Sequence, residues 1–169
     1  TARVAAPVAQ TAPAAAPGAQ QPAPLDQARV QALQSLAEKD AKDVQSRVQL
    51  GNMFFDAEQY PQSIAWYEQA IALNPADPNV STDLGVAYYY TNQSDRALAQ
   101  FEKSLATDPK HTKTLLNVGI VRAFGKNDLA GAAKAWEAVV AISPDSPEGQ
   151  AAKKGLEGVK NAGAGTAGK

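Results

Sequence analysis

The residues able to do covalent or metal chemistry are few in this 169-residue chain, and they do not converge. There is one histidine, His111, and no cysteine. A single imidazole without thiolates is no metal-ligand set, and without cysteine there is neither a thiolate nucleophile nor a disulfide framework. The serines have no histidine at a useful position, so serine-type acyl transfer lacks its base. Carboxylates pair only as Asp26/Glu38 or Asp43/Asp56, the ordinary solvated faces of helices. No glycine-rich loop of the phosphate or dinucleotide type occurs. The chain is therefore expected not to be an enzyme and to hold no metal and no cofactor. Binding is the chemistry left to read.

Charge narrows the partner. Between residues 25 and 160 there are 14 basic and 17 acidic side chains, a net charge of -3, with no basic run. Nucleic acid and anionic membrane surfaces recruit clustered Lys and Arg, so neither is expected. No stretch approaches the roughly 18 apolar residues of a membrane span.

The elements that must position any binding surface are helical and repetitive. Leu50-Gly51, Leu84-Gly85 and Val118-Gly119 stand 34 residues apart each time, as do Tyr67 and Phe101, Ile71 and Leu105, and Pro75 and Pro109. In the third copy Trp136, Val140 and Pro144 follow at 35, which places one surplus residue after Gly119, expected in the Lys126–Asp128 turn. A glycine inside a helix costs about 1 kcal/mol relative to alanine, so three in register need a compensating reason. Close approach of a paired helix carrying Tyr67, Phe101 and Trp136 supplies it, since burying each aromatic is worth about 2–3 kcal/mol. Helices are expected at 26–40, 44–57, 60–73, 78–91, 94–107, 112–125, 129–142 and 147–160. The first is an amphipathic lead-in whose apolar positions are Leu25, Val30, Leu33, Leu36 and Ala37. The last is a polar capping helix that starts at Ser146 and carries Lys153, Lys154, Glu157 and Lys160.

This period and pattern resemble the tetratricopeptide repeat family over roughly residues 44–146. The first copy supplies Leu50, Gly51, Phe54, Tyr60, Tyr67, Ala70 and Pro75. The second supplies Leu84, Gly85, Tyr88, Ala97, Phe101 and Pro109, and the third Val118, Gly119, Ala132, Trp136 and Pro144. Departures are Arg122 in the place of the first-helix aromatic, Arg47 and Ser81 where Trp is common, and Ser63 in place of alanine. The resemblance implies an all-α fold, a right-handed α-α superhelix of three helix-turn-helix repeats (about 44–77, 78–111 and 112–146) within a domain spanning 25–160.

The resemblance also implies that the first helices, A, of the repeats line a concave groove that binds a peptide or helix of another protein. By register the groove residues are Val48, Asn52, Phe55 and Asp56; Thr82, Val86, Tyr89 and Tyr90; and Lys113, Leu116, Asn117, Ile120 and Phe124. Three successive tyrosines, Tyr88 to Tyr90, cannot all face one core, so Tyr89 or Tyr90 should be the more exposed. Some members grip a C-terminal carboxylate with a clamp of Lys and Asn side chains. Here Asn52 and Lys113 match that clamp while Val48, Asp83 and Asn117 do not, and Asp83 would repel a carboxylate. A chaperone-tail clamp is not expected.

Residues 1–24 hold ten Ala and five Pro with one charge, a composition expected to form a spacer. Residues 161–169, with Gly163, Gly165 and Gly168, are expected to be a frayed tail. The spacer suggests a bacterial protein tethered by an upstream membrane anchor and facing the periplasm, and the layout resembles repeat domains that accompany cytochrome c maturation. The alternative is a self-associating repeat protein that forms homo-oligomers.

Overall fold

The computed structural model describes residues 24–166. Apart from Pro24, the expected spacer lies outside the described residues. Eight helices follow one another: α1 (Gln27–Lys39), α2 (Val44–Asp56), α3 (Tyr60–Leu73), α4 (Pro78–Tyr90), α5 (Ser94–Thr107), α6 (Thr112–Ile120), α7 (Leu129–Ile142) and α8 (Pro147–Thr166). A π-helical turn, Val121–Gly125, prolongs α6. Among the described residues there is no strand, and no helix is long and apolar enough to cross a membrane.

Local chemistry fixes the helix starts. Side-chain oxygens of Asp26, Asp43, Asp77 and Asp128 accept backbone N–H bonds from the first turns of α1, α2, α4 and α7. Bonds from Ser46 hold the Asp43 carboxyl below its ordinary value of 3.8, and bonds from Gly131 and Arg122 do the same for Asp128. Ser146 Oγ accepts from Gly149 N at 3.0 Å, with Pro147 at the first helical position of α8. Arg47 ties α1 to α2, donating to the carbonyls of Ala37 (2.9 Å) and Asp43 (2.6 Å). Those carbonyls are at the end of α1 and in the turn that follows it, where a cation is favourable.

Helices pair as A and B within each repeat: α2 with α3, α4 with α5, and α6 with α7. The in-register glycines are the contact points. A Cβ on Gly51 would fall inside the ring of Tyr67, one on Gly85 inside Phe101, and one on Gly119 inside the Trp136 indole. Helices α4 and α6 also touch directly, as do α6 and α8, so α8 takes the place of a fourth helix A along the inner layer. The core runs through three clusters, around Leu50 and Phe54 at the α1 end, around Tyr67, Leu84, Tyr88 and Phe101 in the middle, and around Trp136, Val139 and Ala152 at the α8 end.

Three expectations change. The lead-in helix buries Val30, Leu33 and Ala37, but Leu36 is 51% exposed. Helix α8 runs on through Thr166, six residues past its expected end, so part of the expected tail is helical. The surplus residue of the third repeat is not in the Lys126–Asp128 turn. All three A–B turns have the same form, with one left-handed residue in the middle: Glu58 (φ 56°), Asn92 (φ 62°) and Asn127 (φ 53°). The bonds Gln59 N to Phe54 O, Gln93 N to Tyr88 O and Asp128 N to Arg122 O close these turns equivalently. The extra residue is therefore one of Ala123, Phe124 and Gly125, taken up as a widened turn whose bond runs from Lys126 N to Val121 O at 3.0 Å. A helix can absorb one insertion by shifting a single bond from the i−4 to the i−5 carbonyl. The turn, whose left-handed residue must stay in place, cannot absorb it so cheaply.

Candidate functional site

The inner layer presents the groove residues in two unlike stretches. In the first, Phe55 near the end of α2 meets Tyr60 at the start of α3 (ring centroids 5.3 Å apart) and Tyr90 at the end of α4 (5.7 Å). Tyr60 and Tyr90 stack at 4.8 Å with 13° between their planes. The rings close the seam between α2 and α4, yet Tyr90 stays 54% exposed. Tyr88 is buried and Tyr89 half-buried, so the three successive tyrosines divide between core and surface as helical geometry requires. The Tyr88 hydroxyl donates to Glu68 at 2.6 Å and Arg96 lies over its ring at 4.0 Å. Burial, reinforced by Glu68, pushes the Tyr88 hydroxyl up to about 12. Burial also raises Tyr60, Tyr67 and Tyr89.

Val48 and Val86 are half-buried against the central core and form the floor of this stretch. Asn52 and Asp56 are exposed, but the Asn52 carbonyl oxygen is taken by the Tyr67 hydroxyl at 2.6 Å. Lys113 donates to Asp83 at 2.5 Å, linking α6 to α4. Of the two positions that matched a carboxylate clamp, Lys113 is paired within the chain, while Asn52 accepts through its oxygen and keeps its amide N–H donors. Asn117 is half-buried and donates to the Lys113 carbonyl at 2.8 Å.

Thr82 is a correction. It is fully buried, with Oγ1 2.6 Å from Thr114 Oγ1, 3.1 Å from Ser104 Oγ and 2.6 Å from the Pro78 carbonyl. These hydroxyls satisfy one another between α4, α5 and α6, which removes Thr82 from any groove. His111 attaches to the same network, its Nδ1 2.6 Å from Thr114 Oγ1 and its Nε2 3.1 Å from Asn79 Oδ1. Its role here is to join repeats two and three.

The second stretch is open. Leu116 and Ile120 on α6 are half-buried against the C-terminal cluster and, with Phe124, form one wall of a cleft of about 390 Å³. Phe124, on the π-helical turn, is 70% exposed. The opposite wall is α8, with Ala151, Lys154, Gly155, Gly158 and Ala162, while Leu129 and Trp136 complete the lining. The sequence reading missed α8 as a wall. Its signal was the run of small residues at 151, 155, 158 and 162, which share one helical face and so cannot cover a neighbour. Among the described residues no group of three or more His, Asp or Glu side chains could hold a metal.

The stacked helix pairs and their shared inner face define a helical-repeat solenoid. Residues 51–92 match the family model described as TPR repeat and residues 82–147 the one described as tetratricopeptide repeat. Between them the two cover more than half of the chain, which belongs to the tetratricopeptide repeat family. Among solved structures, the Sgt2 TPR domain from Aspergillus fumigatus is 28% identical, covering 71% of this chain and 78% of that one with a TM-score of 0.65. The first TPR of Spaghetti (RPAP3), bound to the HSP90 peptide SRMEEVD, is 24% identical over 74% of this chain and 96% of its own, with a TM-score of 0.66. The translocator chaperone SycD of Yersinia enterocolitica shares the fold at 17% identity and a TM-score of 0.68, over 74% of this chain and 97% of its own. No curated protein matches the chain.

Proposed function

We propose that the protein is an adaptor whose inner face binds an apolar segment, peptide or helix, of another protein. One observation carries this: Tyr90 and Phe124 stay 54% and 70% exposed on the inner helices of a fold whose other aromatics are largely covered. Rings held out in water on rigid helices are the anchors that recognition of extended or helical segments uses. The solved RPAP3 and Spaghetti domains of this fold hold HSP90 and HSP70 peptides, which supports the general mode. The proposed partner is not an acidic C-terminal tail gripped by a carboxylate clamp, because Lys113 is paired with Asp83, whose own charge would repel a carboxylate, and Val48 and Asn117 do not match the clamp. The proposed setting is the periplasmic face of a bacterial membrane, on an upstream tether, with cytochrome c maturation as the candidate process. Composition and layout alone support that setting.

The test is affinity capture from the source cell with the native chain and a Tyr90→Ala/Phe124→Ala double variant of matched helicity. A protein retained by the native chain alone is the expected result, and equal capture by both would move the binding site off the inner face. Self-association is the second reading, favoured by Leu36 at 51% exposure on α1. Recovery of mainly the chain itself would support it.

A further inference from the structure

Neighbouring inner helices are sealed by aromatic rings at one seam and left open at another. Between α2 and α4 the seal is Phe55 against Tyr90, backed by Tyr60. Counted from the repeat glycine, Phe55 and Tyr89 correspond to Ala123 in the third repeat; counted back from the left-handed turn residue they correspond to Phe124, because the surplus residue lies between. Across from Ala123, α8 presents Gly155 and Gly158. Gly155 is required there, since a Cβ on it would press on the Trp136 ring at 2.7 Å. Gly158 is not required by packing: a Cβ on it meets nothing within 4 Å. Ala123 is buried in the wall and Phe124 stands 70% exposed at the lip, so neither fills this cleft as Phe55 fills the seam between α2 and α4.

Its electrostatics are simple. Among the described residues Lys154 is the single charged side chain lining the cleft, and no carboxylate pairs with its ammonium. The basic side chains on the inner ends of the third repeat are otherwise committed: Lys113 to Asp83, Arg122 to Asp128 and Lys126 to Asp95. An apolar hole of about 390 Å³ beside one uncommitted cation has room for one large side chain and a stretch of its backbone.

We propose that the α6–α8 cleft is an anchor site for a single aromatic or large aliphatic side chain of a bound protein segment, flanked within a few residues by an Asp or Glu that meets Lys154. This rests on the adaptor reading above and names the kind of segment the inner face takes. Phe124, carried on the widened turn at the lip, closes over the anchor from the α6 side.

The experiment pans short random peptides, displayed on phage, against the full chain. Enriched peptides are then synthesised and their affinities measured for the native protein, Gly158→Leu, Lys154→Glu and Tyr90→Ala, each checked for native helicity. The expected winners share one Trp, Phe or Leu with an acidic residue within three positions. Gly158→Leu, which fills the cleft from its open side, is expected to weaken them by about tenfold or more. Lys154→Glu should weaken them by about threefold at moderate salt. Winners that bind Gly158→Leu as tightly as native but lose affinity in Tyr90→Ala would overturn the cleft and leave the adaptor reading standing. If no peptide enriches, both fall. A dimer of the native chain that Gly158→Leu and Phe124→Ala each abolish would assign the cleft to a second copy, and would also overturn the proposal.

Discussion

The two ends of the inner face are built from the same repeat and behave as different materials. Around α2 and α4, inner positions carry Phe55, Tyr89 and Tyr90; Phe55 meets Tyr90 edge-on across the seam at 5.7 Å, and Tyr60 of α3 stacks on Tyr90 at 4.8 Å. Around α6 and α8, one residue is added, Ala123 lines the wall with Phe124 turned out at the lip, and small residues of α8 stand opposite, so the seam opens to about 390 Å³. The backbone scaffold barely differs, because the glycine-to-ring contacts of Gly51, Gly85 and Gly119 are the same in all three repeats. In a solenoid each repeat contacts only its neighbours, so side-chain volume at one seam can change without consequence for the others. Fold and site are thereby separable in this protein: contacts that recur within each pair hold the shape, and the seams between pairs carry the individuality.

The largest effect expected from this separation is a contrast between two glycines. Gly85→Leu drives a side chain into Phe101, which is fully buried between α4 and α5, and should destabilise the chain by about 3 kcal/mol or more, or prevent folding. Gly158→Leu enters open space and also gains helix propensity, so its stability should lie within about 1 kcal/mol of native. Urea unfolding of the two variants measures the difference. Comparable losses in both would mean that the α6–α8 seam is as closed as the α4–α5 contact, and the contrast between the two ends would dissolve.

How much of this was legible in the sequence divides along the same line. Period, the helix boundaries within the repeats and the glycine–aromatic contacts were readable, because they arise from residues that recur in register, whereas the end of α8, which has no counterpart in the repeats, was not. Thr82 was misplaced because its neighbours Ser104 and Thr114 lie 22 and 32 residues away, and nothing local distinguishes a hydroxyl in a buried network from one on a groove. The insertion was assigned to the turn for a sound general reason, surface tolerance. Missed was that the turn needs its left-handed residue at a fixed distance from both helices, which pushes the extra residue back into α6. The α8 wall escaped notice because the sequence reading treated that helix as a solvent-facing lid. Its glycines had meaning only once Trp136 and Phe124 were seen opposite them.

A pH experiment sharpens the comparison at intermediate cost. All five tyrosines lie in the first two repeats, and burial raises Tyr60, Tyr67, Tyr88 and Tyr89 in the folded chain. A group raised on folding favours the folded state fully below its unfolded value, here about 10, and loses that contribution as pH climbs through the folded value, about 12 for Tyr88. Alkali should therefore loosen the N-terminal two-thirds before the C-terminal cluster. Trp66, beside the α1 end, and Trp136, beside α8, report the two regions separately. With 5-fluorotryptophan incorporated, the Trp66 resonance is expected to move toward its unfolded position at lower pH than that of Trp136. Simultaneous movement would show one cooperative unit in place of two.

The smallest effect concerns a single hydroxyl. Ala97 and Ala132 are fully buried at the position where the first repeat has Ser63, also fully buried, and Ser63 Oγ makes no well-formed hydrogen bond, the Tyr67 hydroxyl being its polar neighbour. An unpartnered buried hydroxyl is destabilising, so Ser63→Ala should leave stability unchanged or raise it by about 1 kcal/mol. The reverse exchange, Ala97→Ser, places an extra polar atom in an equally tight site and should lower stability by about 1–2 kcal/mol. Thermal melts of the two variants, read against the native chain, decide it. A loss in Ser63→Ala would mean that the hydroxyl is bonded in solution, and the first repeat would then be specialised inside its helix pair as well as at its seam, against the separation of fold from site that the two ends of the groove otherwise display.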